Sequence, residues 1–205
     1  MHPQISYPSG TVRALLETDL VTRPTRDALS ARLEPPDSGG PRFFMGPALT
    51  TLRAACARLI PQPHRTEPID LARCIDERLA TGAGNGWRYD SMPADGDACL
   101  AGLAGLDQTS QARYGTPFHE LDGARQDDVL RAVQRGAAQG EVWTRMPATR
   151  FFEELLAECV EFYYSHPLAQ EEIGYVGMAD APGWRAIGLN RLEPREPRAE
   201  PDTGG

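Results

Sequence analysis

The chain has 205 residues, of which 40% are hydrophobic and 24% charged, a composition typical of one soluble globular domain with a sizeable core. Its formal net charge of −8 disfavours nucleic acid as a partner, because an acidic surface repels a phosphate backbone. All 21 basic residues are arginine, which excludes a Schiff-base lysine and the lysine of a phosphate-binding P-loop.

Localisation is predicted from two sequence patterns. No run of apolar residues is long enough for a transmembrane helix, so direct membrane insertion is not expected. The opening sequence MHPQISYPSG has neither the charged-then-apolar pattern of a signal peptide nor a twin-arginine pair. We therefore expect a cytoplasmic protein, with export on the signal of a bound partner as the alternative.

Residues 1–42 are predicted to form an N-terminal arm and linker. Val12, Leu15 and Leu16 have helical spacing, and Thr25 is a candidate cap for a second helical segment. The breaker-rich stretch EPPDSGGP at residues 34–41 then separates the arm from the compact part of the chain.

The compact part is predicted to begin with four helices. Apolar residues at helical spacing indicate the first at residues 49–60 and the second at 71–79. The third is expected to start at Asp95 or Asp97 and to end before Gly115, and Asp122 is the candidate cap of the fourth. Between and after these helices the sequence predicts loops rich in glycine and proline.

The most apolar helix is predicted at residues 151–164. Its apolar side chains form two adjacent stripes, a wider face than a surface helix needs, so this helix is either central to the core or shared with a partner. Pro167 is expected to end it, residues 168–192 to be irregular and residues 193–205 to be a disordered tail. The predicted fold is all-α, an irregular bundle of five to seven helices with long loops, with residues 43–192 as its domain.

The four cysteines, Cys56, Cys74, Cys99 and Cys159, contain no CxxC pair. This spacing argues against structural zinc or an iron–sulfur cluster. We expect reduced thiols that behave as small buried apolar side chains. In an oxidising compartment, the even number would instead permit disulfides.

Candidate catalytic and metal-binding residues are few, and no catalytic, cofactor-binding or metal-binding residue is predicted. His119 beside Glu120 could be half of a metal site, but a lone histidine next to a turn is more often simply exposed, and this second interpretation is favoured. His166 precedes Pro167, where its positive form would suit a helix C-terminus. Glu154, Glu158 and Glu161 share a stripe, but the Glu-x-x-His motifs of a di-metal helical site are missing, so a solvated acidic face is expected.

Aromatic residues near the end of the chain are the candidate partner-binding residues. Tyrosine and tryptophan are enriched at protein interfaces, and both also occur in ordinary cores. The core interpretation is favoured for the phenylalanines, and both remain open for the later tyrosines and the tryptophan. The candidate interface residues are Phe162, Tyr163, Tyr164, Pro167, Tyr175 and Trp184.

Four segments, in this order, resemble the gluconate 2-dehydrogenase subunit 3 family across about residues 43–190. A leucine-rich helix ends in Ile60-Pro61, and a helix with the sequence IDLARCIDERLA follows it. The third segment carries the pattern G-x-x-F-x-x-L-x-x-x-x-Q, here Gly115, Phe118, Leu121 and Gln126. The fourth and last segment begins with two phenylalanines and ends in aromatic residues before Pro167.

This resemblance implies a non-catalytic small subunit without a cofactor of its own. Its expected partner is a large FAD-dependent oxidoreductase of the glucose–methanol–choline type, joined in many complexes by a cytochrome c subunit. The subunit is expected to bind this flavoprotein and to stabilise or mature it. Two alternatives remain: a stand-alone helical metalloprotein enzyme that uses His119, His166 and the glutamates, and a generic helical interaction module.

Overall fold

The computed structural model describes residues 5–34, 39–84, 90–178 and 183–201. These residues form eight α-helices, and their one strand pairing is antiparallel and joins Ile5–Ser6 to Glu200–Pro201. The predicted all-α class is therefore confirmed. Within the described ranges, no helix is both long and apolar enough to cross a membrane.

Seven of the eight helices were predicted. Two 3₁₀ turns, Phe118–Glu120 and Glu141–Thr144, lie between the later helices. The α-helices are α1 (Thr11–Leu16), α2 (Arg23–Leu33), α3 (Gly46–Leu59), α4 (Leu71–Ala80), α5 (Asp95–Tyr114), α6 (Gly123–Gln134), α7 (Ala148–Ser165) and α8 (Pro167–Glu172).

The predicted number of five to seven helices was too low, because α8 lies in a stretch predicted to be irregular. Proline is favoured in the first turn of a helix, where its missing N–H needs no partner. Pro167 therefore begins α8 after α7 has ended at Ser165. The predicted cap Thr25 was also wrong: α2 begins at Arg23, with Thr22 as its N-cap residue, so Thr25 lies within the helix.

The chain divides by packing into two compact units. One consists of residues 39–163, and the other combines residues 1–38 with residues 164–205. The first boundary lies close to the end of the predicted arm, at residue 42. The boundary predicted at residue 192 has no counterpart in this division, and residues 202–205 of the predicted tail lie outside the described residues. The domain boundaries and the disordered tail stay predictions.

In the unit of residues 39–163, the buried carboxylate of Asp76 on α4 holds the segment that leads into α3. Its oxygens accept hydrogen bonds from the backbone N–H groups of Arg42 (2.7 Å), Phe43 (2.9 Å) and Phe44 (2.7 Å). Burial favours the neutral acid, but these three N–H donors outweigh it, and the pKa of Asp76 is lowered. The segment is thereby fixed so that Phe44 is fully buried in the core.

Two glycines on α5 allow aromatic rings to lie directly against the helix backbone. A Cβ atom at Gly102 would lie 2.0 Å from the Phe151 ring, and one at Gly105 would lie 2.3 Å from the Trp143 ring. The two rings also contact each other, with centroids 5.7 Å apart. Residues 102 and 105 therefore have no space for a side chain.

The second unit has a smaller core, in which α1 and α2 pack with residues that follow α8. Its buried apolar residues are Val12, Leu15, Leu16, Val21, Leu29, Val176 and Met178. Glu171, on α8, accepts hydrogen bonds from the N–H groups of Gly10 (2.8 Å) and Arg13 (3.1 Å). The Arg13 guanidinium adds two more, at 3.1 and 3.0 Å.

These donors decide the ionisation of Glu171. Burial alone would raise the pKa of the Glu171 carboxyl, but the Arg13 side chain and the backbone N–H groups hold that pKa below its usual value. The carboxylate therefore joins the start of α1 to α8, 158 residues apart in sequence.

We predict that Gly102→Ala lowers the free energy of unfolding by about 1–3 kcal/mol, because the new methyl group must displace the Phe151 ring. Urea unfolding followed by circular dichroism measures this change. Gly40→Ala is the control, since a Cβ atom there meets no neighbouring atom within 4 Å. Equal stability of the two variants would contradict the close contact.

We predict that Glu171→Gln weakens the attachment of α1 by roughly 2 kcal/mol near pH 7. Because the folded pKa is lowered, the stabilisation is present above the unfolded value of about 4.3 and is lost as pH falls through the folded pKa. Hydrogen exchange of the α1 amides should therefore be faster in the variant near pH 7, and this difference should shrink as pH falls through the lowered folded pKa.

Glu172→Gln, which changes the exposed neighbouring residue, is the matched control for this experiment. It should leave exchange in α1 unchanged. An effect of Glu171→Gln that stays the same from neutral to acidic pH would show that the ionised carboxylate does not hold α1.

Candidate functional site

Three of the six candidate interface residues lie on the surface of the unit that contains residues 164–205. Tyr164, Tyr175 and Trp184 are 43%, 44% and 50% exposed, respectively. These are the residues for which the sequence left core and interface open. Large aromatic side chains are usually well buried, so this exposure favours the interface interpretation.

The other three candidates contribute to the packing of the chain itself. Phe162 is half-buried, whereas Tyr163 and Pro167 are buried. The Arg65 guanidinium lies over the Tyr163 ring, 5.9 Å from its centroid. Contact with a partner stays a prediction for all six residues, and the exposed three are the better candidates.

Sequence reasoning missed several exposed aliphatic residues in the same part of the chain. Ten large apolar side chains are exposed among the described residues, and seven of them lie between residues 164 and 192. This concentration distinguishes the segment from the rest of the surface. We call these seven residues the C-terminal apolar set: Tyr164, Ile173, Tyr175, Trp184, Ile187, Leu189 and Leu192.

A buried carboxylate holds the loop that carries four members of this set. Glu193 accepts hydrogen bonds from the backbone N–H groups of Ala186 (2.6 Å) and Arg185. These two donors lower the pKa of the Glu193 carboxyl. The Arg195 guanidinium lies 4.7 Å from the centre of the Trp184 ring. The loop is thus held by its own residues, while Leu189 at its tip is 93% exposed.

The backbone conformation at the C-terminal end of α8 positions the exposed Tyr175 side chain. Gly174 has a φ of +63°, and its N–H donates to the backbone carbonyl of Glu171 at 3.1 Å. The N–H of Tyr175 donates to the backbone carbonyl of Gln170 at 2.9 Å. This pair of bonds is a Schellman motif, which requires the left-handed conformation that glycine adopts easily. The Tyr175 hydroxyl donates to the Gly177 carbonyl, so the exposed ring is held in place at both ends.

The two candidate histidines lie at the helix end and the turn where the sequence placed them. His166 is the N-cap of α8, and its Nδ1 atom accepts a hydrogen bond from the N–H of Leu168 at 3.2 Å. His166 also directly follows Ser165, the last residue of α7, so it lies at the helix C-terminus where the sequence placed it, and its positive form stays a prediction. His119 is half-buried, with its Nε2 atom 3.9 Å from Glu120. In the described ranges, no three His, Cys, Asp or Glu side chains are grouped to hold a metal ion.

The predicted acidic face of α7 is only partly solvated. Glu158 is largely buried and forms an ion pair with Arg78 of α4, which also lies 3.5 Å from Asp95. Burial is the largest influence on Glu158 and raises its pKa to about 7, against the opposing effect of Arg78. Glu161 is exposed, as expected, and Glu154 is half-buried. The spacing of the glutamates along α7 could not predict the ion pair with Arg78, because Arg78 lies on α4.

The four motif residues at 115–126 have structural roles. Gly115 ends α5 in the left-handed conformation, with a φ of +68°. Phe118 is fully buried in the following 3₁₀ turn, and Leu121 is buried after it. The Gln126 side-chain amide donates to the Phe118 carbonyl at 3.2 Å.

Asp107 completes this arrangement from α5. Its carboxylate accepts the N–H of Phe118 at 2.9 Å and the Thr51 hydroxyl at 3.2 Å. Both backbone groups of Phe118 therefore have partners, and α3, α5 and α6 meet around one buried ring. The spacing of the motif thus follows from how the turn between α5 and α6 packs.

Comparison with known proteins gave one informative result. No curated protein and no solved structure matches the chain. The family model described as Gluconate 2-dehydrogenase subunit 3 matches residues 48–188, which confirms the resemblance seen in the sequence. This match covers most of the chain and includes the motif around Phe118. The chain therefore belongs to the gluconate 2-dehydrogenase subunit 3 family.

Proposed function

We propose that this protein is a non-catalytic accessory subunit of a dehydrogenase complex. Membership of the gluconate 2-dehydrogenase subunit 3 family is the observation that carries this proposal, because the family is described as a subunit of a dehydrogenase. The proposed partner is a large FAD-dependent oxidoreductase of the glucose–methanol–choline type. FAD would be held by that partner, and a cytochrome c subunit would be a third member of the complex.

The C-terminal apolar set supports a binding role. Tyrosine and tryptophan carry much of the energy of protein interfaces, since their rings fill pockets on the partner and their polar groups keep hydrogen bonds. Trp184 and Tyr164 combine such side chains with high exposure. The loop around Trp184 is held by Glu193 before any partner arrives, so little conformational entropy is lost on binding.

Binding to the folded flavoprotein would stabilise it by mass action. A subunit present at about 100 times its dissociation constant stabilises its partner by about 2.7 kcal/mol. No group of this chain needs to touch the substrate for that effect. We propose that the complex works in the cytoplasm or, if the partner carries an export signal, outside it.

Two other functions make different predictions. A stand-alone metalloprotein would retain a stoichiometric metal ion through dialysis, which metal analysis of the purified chain detects. A generic helical interaction module would bind proteins without a flavin. The family match favours the accessory subunit over both.

Affinity capture of the tagged full-length chain from its source cells tests the proposal. We expect one captured protein in near-equal amount, with the absorbance of FAD and a peptide sequence of the glucose–methanol–choline type. Capture of proteins that contain no flavin would support the generic module instead and would contradict the proposal.

Substitutions in the C-terminal apolar set should then separate binding from folding. Tyr164→Ala and Trp184→Ala are each expected to weaken capture of the flavoprotein by about 30-fold or more, since buried aromatic anchors contribute about 2 kcal/mol or more. Their own melting temperatures should fall by less than about 2 °C, because both side chains are exposed.

Met45→Ala and Leu100→Ala are the matched controls. Each removes an exposed large apolar side chain outside the C-terminal apolar set. They should leave capture unchanged. If Tyr164→Ala and Trp184→Ala unfold the chain, or if all four variants bind equally, these aromatic residues are not interface anchors.

A further inference from the structure

Two buried cysteines from distant parts of the sequence lie side by side in the unit of residues 39–163. Cys56 is on α3 and Cys159 is on α7, 103 residues apart. Their sulfur atoms are 3.7 Å from each other, and the two residues are 5% and 0% exposed. The helices therefore hold the two thiols in direct contact.

We propose that Cys56 and Cys159 form an intrachain disulfide bond that joins α3 to α7. In this step the two thiols lose two protons and two electrons, and one sulfur–sulfur bond forms. The oxidant is the disulfide of a thiol–disulfide oxidoreductase or of glutathione, which accepts the two electrons and two protons and becomes a pair of thiols. This inference does not depend on the proposed function.

The geometry requires only a small movement. A disulfide has a sulfur–sulfur distance of about 2.0 Å, so the two atoms must approach by about 1.7 Å from their separation of 3.7 Å. Rotations of two cysteine side chains can provide much of this movement without breaking either helix. The contact therefore points to the pairing of Cys56 with Cys159.

The remaining cysteines are the natural comparison. Cys74 on α4 is half-buried, and burial raises the pKa of its thiol to about 11. Cys99 on α5 is buried, and burial raises the pKa of its thiol as well. Cys99 lies near enough to Cys56 and Cys159 to affect the electrostatics of this pair, but the sulfur atoms shown in direct contact are those of Cys56 and Cys159.

The protonation of the Cys56 thiol determines at which stage of folding the disulfide forms. The hydrogen-bonding contact with Cys159 and burial both raise the pKa of the Cys56 thiol. Because the thiolate is the form that attacks a disulfide, the folded and reduced pair reacts slowly. Oxidation therefore belongs to the folding of the chain, before α3 and α7 exclude the oxidant.

The bond has a consequence for location and stability. It closes a loop of 103 residues, so it removes many conformations from the unfolded chain. Such bonds persist in oxidising compartments and are rare in the cytosol. A disulfide here would therefore favour export with the partner over a cytoplasmic location.

Refolding of the full-length chain in a glutathione redox buffer tests the proposal. After alkylation of the denatured product, we expect two alkylated cysteines instead of four, and a non-reduced digest with one linked peptide that joins Cys56 to Cys159. Four alkylated cysteines, or a linked peptide that contains Cys74 or Cys99, would overturn it.

Stability measurements provide a second readout. Reduction of the refolded chain should lower its melting temperature by about 10 °C, given the usual effect of a disulfide in a domain of this size. Cys159→Ala should abolish both the linked peptide and this difference, and Cys74→Ala should retain both. A wild-type melting temperature that does not respond to reduction would contradict a bond between α3 and α7.

Discussion

Buried carboxylates that accept backbone N–H groups are the interaction on which both units of this protein depend. A chain rich in glycine and proline has many segments outside helices, and their buried N–H groups need acceptors. Asp76 serves residues 42–44, Glu171 serves the start of α1, and Glu193 serves residues 185 and 186. In each case an acidic side chain accepts backbone N–H groups that lie outside helices or in the first turn of one.

These hydrogen bonds from backbone N–H groups to buried carboxylates explain how the C-terminal apolar set can be both ordered and exposed. The loop with Trp184 is held by the carboxylate of Glu193 and does not need its own apolar side chains for a core. The C-terminal apolar set is consequently exposed on backbone that is already in place. An ordered surface of this kind is what a subunit needs if its function is to bind a larger protein and stabilise it. The family match and the exposed aromatic residues thus support the same proposed function.

The sequence predicted the helices well because their apolar periodicity and caps are local signals. Asp122 and Gly115 lie at the helix ends where they were expected, with the Asp122 carboxylate capping α6. The missed helix α8 shows the limit of such signals, since a proline both ends one helix and begins another. Partners distant in sequence were invisible: neither the contact of Asp76 with residues 42–44 nor that of Glu158 with Arg78 follows from periodicity. For the candidate site, aromatic composition identified Tyr164 and Trp184, whereas the exposure of Leu189 depends on tertiary structure.

The central claim is that this chain acts on a second polypeptide and not on a substrate. Its most direct test is the yield of soluble, FAD-loaded flavoprotein when the captured partner is expressed with the chain and without it. Our account predicts a several-fold higher yield of FAD-loaded flavoprotein in the presence of the chain, and no substrate turnover by the chain alone. A flavoprotein that is equally soluble, equally loaded with FAD and equally active without this chain would contradict the account.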